Sequence, residues 1–139
     1  MNIEICSEKY TSSLLVLNPN KIFVFGDNIK RYGKGGQAVI RHQPNAYGIA
    51  TKRYPSKDDW AYFSDKEDEF TCVLDDLRGL YFLSKTHTIV FPCGGIGTGL
   101  ADMENRSPRL FIEMNRILKE HFGYVNGGNH IEENRATPR

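Results

Sequence analysis

The sequence predicts an α/β protein, a sheet with helices on its faces. Two short runs carry this reading: Lys21-Ile22-Phe23-Val24-Phe25 and Thr88-Ile89-Val90-Phe91. Continuous β-branched and aromatic runs of this length suit strands buried on both faces. Each runs into a glycine-rich segment, and helical patterns alternate with the strands. At 139 residues the chain is one domain, assigned to residues 1–125, with residues 126–139 as a tail.

Asn2 to Cys6 is a first short strand. Ser7 to Leu17 is ambiguous and has room for a short helix. Asn18-Pro19-Asn20 is a turn by residue type. The run from Lys21 ends at Gly26-Asp27-Asn28. After Gly33-Lys34-Gly35-Gly36, the segment Gln37 to His42 gives about two helical turns before Pro44 stops it. Ala46 to Ala50 is a strand, and Lys52 to Asp59 is polar and loop-like. Ser64 and Glu67 have capping-box spacing. Behind them Phe70, Val73, Leu74, Leu77 and Leu80 share one helical face. Ser107-Pro108 reads as N-cap and first helical residue. Leu110, Phe111, Met114, Ile117 and Leu118 form that helix's apolar face, and Gly123 ends it. The tail from Asn126 has one large apolar residue, Ile131, too little to order itself.

The net charge is +1, which argues against a dedicated nucleic-acid or membrane-surface binder. No apolar run approaches the ~20 residues of a membrane span. Met1 to Ile5 lacks the pattern of a secretory leader. Cys6, Cys72 and Cys93 form neither a disulfide framework nor a metal motif. The four histidines are scattered. The expectation is a cytoplasmic protein without metal or cofactor.

The chemistry concentrates in the two glycine loops. Both follow buried strands, so both belong at the carboxyl edge of the sheet, where such folds bind ligands. Glycines let successive N–H groups converge on an anion, and a helix beginning near Gly36 would add its positive end. The second loop has four glycines between Gly94 and Gly99. Two such loops point to a diphosphate held between them. Neither loop is a standard nucleotide motif. Lys34 is followed by Gly35 rather than Ser or Thr, and Gly97-Thr98-Gly99 lacks the third glycine of the dinucleotide fingerprint.

In four segments the chain resembles a macro domain, the ADP-ribose-binding α/β module. Val24-Phe25-Gly26-Asp27-Asn28 looks like its strand ending in the ribose-binding asparagine. Gly33-Lys34-Gly35-Gly36-Gln37-Ala38 is similar to the Gly-Lys-Gly-x-Ala segment of one branch, which holds terminal ADP-ribose glycohydrolases and antitoxins that strip ADP-ribose from DNA. Tyr47 to Arg53 resembles that branch's Tyr-x-Ile-x-Thr-Lys strand. Ile89 to Leu100 looks like its second phosphate loop. The resemblance spans about Lys21 to Leu118 and extends to small macro-like proteins of tailed phages, which would put the protein in a host cytoplasm.

The resemblance implies a three-layer α/β/α fold with a mixed central sheet. It implies ADP-ribose or a related nucleotide as ligand, and ADP-ribosylated DNA or protein as the wider partner. Ligand contacts would come from Gly26, Asp27, Asn28, Gly33, Gly35, Gly36, Gln37 and Thr51. The second loop would add Gly95, Ile96, Gly97, Thr98, Gly99 and Leu100. For catalysis the branch implies Lys34 as nucleophile and Asp102 as acid–base partner. In the branch the acid directly follows Gly-x-Gly-Leu, whereas here Ala101 stands there and Asp102 comes next. A reader or sequestering protein that binds without turnover is the alternative. Among other residues, Cys93 reads as a small core residue. Trp60, Tyr62 and Phe63 either stack on adenine or pin their loop to the core. Gly97→Val is expected to block ligand while sparing the fold.

Overall fold

The computed structural model describes residues 1–126. Four strands form one sheet: β1 (Ile3–Cys6), β2 (Lys21–Asn28), β3 (Ala46–Lys52) and β4 (Thr88–Pro92). Their order is β1-β4-β2-β3, and all three pairings are parallel. The expectation of a mixed sheet is therefore corrected. Each link between successive strands is a long crossover, and parallel neighbours require that. An isolated antiparallel bridge joins Lys52, at the end of β3, to Tyr62.

The helices are α1 (Ser12–Val16), α2 (Glu67–Leu83), α3 (Met103–Arg106) and α4 (Pro108–Phe122). Strand periodicity of two sorts the core onto the two sides of the sheet. Ile22, Val24, Ile89 and Phe91 join Val73, Leu77 and Leu80 of α2 and Leu110, Met114 and Leu118 of α4. Phe23, Phe25 and Val90 join Tyr10, Leu15, Ala38 and Ile40. β2 runs further than expected because Gly26, Asp27 and Asn28 continue its pairing with β3, across a register shift at Asp27/Asn28.

The segment after Gly35 is a five-residue 3-10 helix, Gly36–Ile40, and not two α-turns. A piece that short carries little dipole. The capping box also shifts. α2 starts after Lys66, and the Glu69 carboxylate accepts from the N–H groups of Lys66 (3.0 Å) and Ser64 (2.7 Å). Glu69 is fully buried and paired with Arg53 at 2.6 Å. α4 begins at Pro108 and ends at Gly123 (φ 68), as its residue types require. The Ser107 hydroxyl does not cap it. Asp65 does, accepting from the N–H groups of Leu110 (2.8 Å) and Arg109 (3.2 Å).

The chain past α4 returns beneath the sheet. Tyr124 stacks on Phe91 with centroids 4.1 Å apart, and its hydroxyl donates to the Pro92 carbonyl. Asn126, assigned above to the tail, belongs to the fold and is 7% exposed. Its Oδ1 accepts from Ile96 N–H and its Nδ2 donates to Ile96 C=O, both at 2.7 Å. The rest of the predicted tail lies outside the described residues. No helix among the described residues is long and apolar enough to cross a membrane.

Asn126 thus closes the second glycine loop from a position 30 residues away. Asn126→Ala would leave the buried Ile96 donor and acceptor unpaired, at about 1–3 kcal/mol for each group. Thermal unfolding is expected to show a fall of at least ~5 °C, and amide exchange at Ile96 should accelerate.

Candidate functional site

In a parallel sheet the strands end at one edge, and from the neighbours β2 and β4 the chain leaves toward opposite faces, β2 to the 3-10 helix Gly36–Ile40 and β4 to α4. The crevice at this reversal is where open α/β sheets bind ligands. Here it opens into a cavity of about 660 Å³, within the ~300–1,000 Å³ typical of small-molecule sites. Its wall includes Gly26, Asp27, Asn28, Tyr32 to Ala38, Arg41, Thr51, Lys52, Pro55 to Lys57, Gly95, Gly97 and Gly99 to Ala101. The four segments that resemble a macro domain all reach this wall.

Gln37 ties the two loops together. Its Oε1 accepts from Gly26 N–H and its Nε2 donates to Gly95 C=O, both at 2.9 Å. The sequence marks Gln37 as a ligand contact, but both ends of its amide are engaged in joining the loops. Each loop then presents a run of backbone donors. Among the described residues the N–H groups of Gly97, Thr98, Gly99 and Leu100 have no protein acceptor, nor do those of Lys34, Gly35 and Gly36. Neither positive φ nor packing demands glycine at 35 or 99, where a Cβ would meet open space. That open space is the cavity.

Asp27 is a structural carboxylate. One oxygen accepts from Arg41 (2.6 Å) and Asn28 N–H (2.7 Å), and the other from Arg41 (3.1 Å) and Arg31 (3.4 Å). Thr51 donates its hydroxyl to the Asp27 carbonyl at 3.0 Å. Asn28 differs. It is 5% exposed, its Nδ2 donates to Tyr32 C=O at 2.8 Å, and its Oδ1 has no partner. A buried acceptor left unpaired costs about 1–3 kcal/mol, so it marks a place where a donor is expected.

Three lysines line the wall, and among the described residues Lys34, Lys52 and Lys57 have no carboxylate partner. Lys34 is exposed. Lys52 is half-buried; its ammonium donates to Ser56 C=O and lies 4.3 Å from the Tyr62 ring centroid. Burial, and then the charges of Arg106 and Lys57, push the Lys52 ammonium below the ordinary lysine value. The sequence shows Lys52 as one more cation at a strand end. Nothing in it signals this electrostatic setting.

Several predicted contacts fall elsewhere. Ile96 is buried in the core, with its N–H bound to Asn126. Thr98 turns its hydroxyl back to Gly94 C=O at 2.6 Å and is not on the wall. Asp102 also lies off the wall. It occupies the N-cap of α3 in the left-handed region (φ 48), accepts from Asn105 at 2.8 Å and faces Arg106 at 3.8 Å. Lys34 thus stands on the wall and Asp102 off it, with its carboxylate engaged by Asn105 and Arg106. Gly97 has φ 77, and a Cβ there would overlap Met103 Sδ in the core. Gly97→Val would strain packing before it reached ligand, contrary to expectation. Of the aromatic trio, Phe63 is buried, Tyr62 carries Lys52 and Arg106, and Trp60 packs edge-on to Tyr54. The aromatic on the wall is Tyr32, 49% exposed.

The chain belongs to a family of unknown function, DUF7831, whose model matches residues 5–117. No curated protein and no solved structure matches it. The matched span takes in every residue of the cavity wall.

Gln37→Ala should release both loops while leaving the sheet intact. Amide exchange at Gly26 is expected to rise at least tenfold, with a stability loss of about 1–3 kcal/mol by denaturant unfolding.

Proposed function

We propose that the cavity binds ADP-ribose or a close relative, within a three-layer macro-like domain. The observation that carries this reading is the unpartnered Oδ1 of Asn28, buried on the wall between two glycine loops. A ribose hydroxyl is the donor it lacks. The free N–H groups of Gly97 to Leu100 and of Lys34 to Gly36 suit the two phosphates. The uncompensated lysines favour an anion over a neutral ligand. Titration calorimetry with ADP-ribose, AMP and NAD tests the reading. ADP-ribose is expected to bind tightest, because two loops reward a diphosphate with a free distal ribose. Equal or tighter binding of AMP would overturn it.

A second reading is glycohydrolysis of ADP-ribose from DNA or protein. Its chemistry needs a neutral amine to attack the ribose anomeric carbon while the macromolecule leaves with the bonding electrons and gains a proton. Water then releases the sugar and restores the amine. Of the two candidate lysines, Lys52 is the one whose ammonium burial and neighbouring cations push below the ordinary value, the direction such an attack needs. Lys34, exposed beside the free N–H groups, suits a phosphate contact. Asp102, engaged with Asn105 and Arg106, favours the competing reading of a binder without turnover.

The variants separate these roles. Lys52→Ala is expected to remove turnover of an ADP-ribosylated substrate by several orders of magnitude, with little change in affinity. Lys34→Ala should weaken ADP-ribose by about tenfold or more, the ~1.5–3 kcal/mol of a charge-assisted contact. Borohydride should trap the sugar on Lys52. Trapping on Lys34 would reverse the two roles. Tight binding with no release from modified DNA or protein would establish the reader or sequestering role.

A further inference from the structure

Tyr32 C=O sits at the centre of a small hydrogen-bond system beside the cavity. It accepts from Asn28 Nδ2 at 2.8 Å and from Arg41 Nη2 at 3.1 Å. Arg41 Nε also donates to Gly33 C=O at 2.7 Å. The same guanidinium grips both oxygens of Asp27, at 2.6 and 3.1 Å, and lies over the Phe25 ring at 5.4 Å. Arg41 is a half-buried side chain with five donors in a fixed plane, four of whose bonds are accounted for here. It therefore fixes two successive carbonyls of the first loop to the end of β2.

This arrangement dictates how Asn28 points. A carbonyl can only accept, so the Asn28 atom facing Tyr32 must be the amide nitrogen. The oxygen is then left buried and unpaired at the cavity wall. Were the Tyr32 carbonyl free to swing away, the amide could turn over and present a donor instead. That turned state would accept a ligand carbonyl or phosphate oxygen where the observed state demands a hydroxyl.

We propose that Arg41, anchored on Asp27, is a positioning residue that locks the Asn28 amide with its buried Oδ1 unpaired at the cavity wall, and so selects a ligand bearing a hydroxyl donor at that point. This rests on the binding role proposed for the cavity. Arg41 acts through Asn28, and its contribution to affinity should vanish once the Asn28 amide is gone.

A double-mutant cycle tests this on the full chain. Asn28→Ala and Arg41→Gln are each expected to weaken ADP-ribose about tenfold by calorimetry. The double variant should also lose about tenfold, not a hundredfold. A hundredfold loss would mean that Arg41 contacts ligand independently and would overturn the proposal, as would wild-type affinity in Arg41→Gln. Arg41→Lys keeps the charge on Asp27 but cannot hold two carbonyls. It is expected to show the same direction of loss if Arg41→Gln fails to fold. A second readout needs no ligand. In the free protein the Asn28 side-chain amide protons should exchange slowly, and Arg41→Gln should speed them at least tenfold while β4 amides are unchanged. If ADP-ribose fails to bind wild type, the binding role falls while this exchange measurement still decides the positioning role. Unchanged Asn28 exchange would overturn it.

Discussion

The carboxylate of Asp27 is the constraint around which the site is built. It is buried at the end of β2, and an unpaired buried charge there would cost several kcal/mol. Two arginines and one backbone N–H answer it. The answer fixes more than the charge. Arg41 brings the carbonyls of Tyr32 and Gly33 with it, and Arg31 reaches on to Asp76 with bonds of 2.7 and 2.8 Å. Asp76 in turn accepts from Ala50 N–H, which joins α2 to β3. Gly48 is glycine for the same reason, since a Cβ there would overlap the Asp27 carboxylate.

A second set of ties holds the other loop. Gln37 joins it to Gly26, and Asn126 holds Ile96 from below. Both are amides, and each uses one acceptor and one donor of a single planar group. The loops are therefore held at their roots while Gly97 to Leu100 and Lys34 to Gly36 keep their N–H groups free. Rigid roots with free donors are what a preorganised anion site requires, because the ligand then need not order the loop on arrival.

The two proposed readings, binding alone and turnover, call on different residues of the wall. The first loop offers an exposed Lys34 on the wall, with no carboxylate partner among the described residues. β3 brings Lys52 to the wall, where burial and then the charges of Arg106 and Lys57 push its ammonium below the ordinary lysine value. Asp102 turns toward its own helix instead of the cavity. Ala101 lies on the wall, and Asp102 at the cap of α3.

The sequence by itself determined the α/β class, the buried strands β2 and β4, the limits of α4 and the two glycine loops at one edge. These follow from local chemistry: side-chain periodicity, the fixed φ of Pro108, the positive φ open to Gly123, and the direction of strands that end in loops. Tertiary structure alone decided that every strand pair is parallel, because pairing depends on which crossover returns the chain to which edge. It alone decided that Asp27 and Gln37 hold the loops, that Asn126 is part of the fold, and that Asn28 keeps a vacant acceptor. Each of these depends on a partner brought close by folding, and a polar side chain read in sequence does not show whether its partner is protein, water or ligand. Lys52 is the sharpest instance. Its type and position were plain, but its proton affinity is set by burial and by Arg106, which lies on another element and reaches it only in the folded chain.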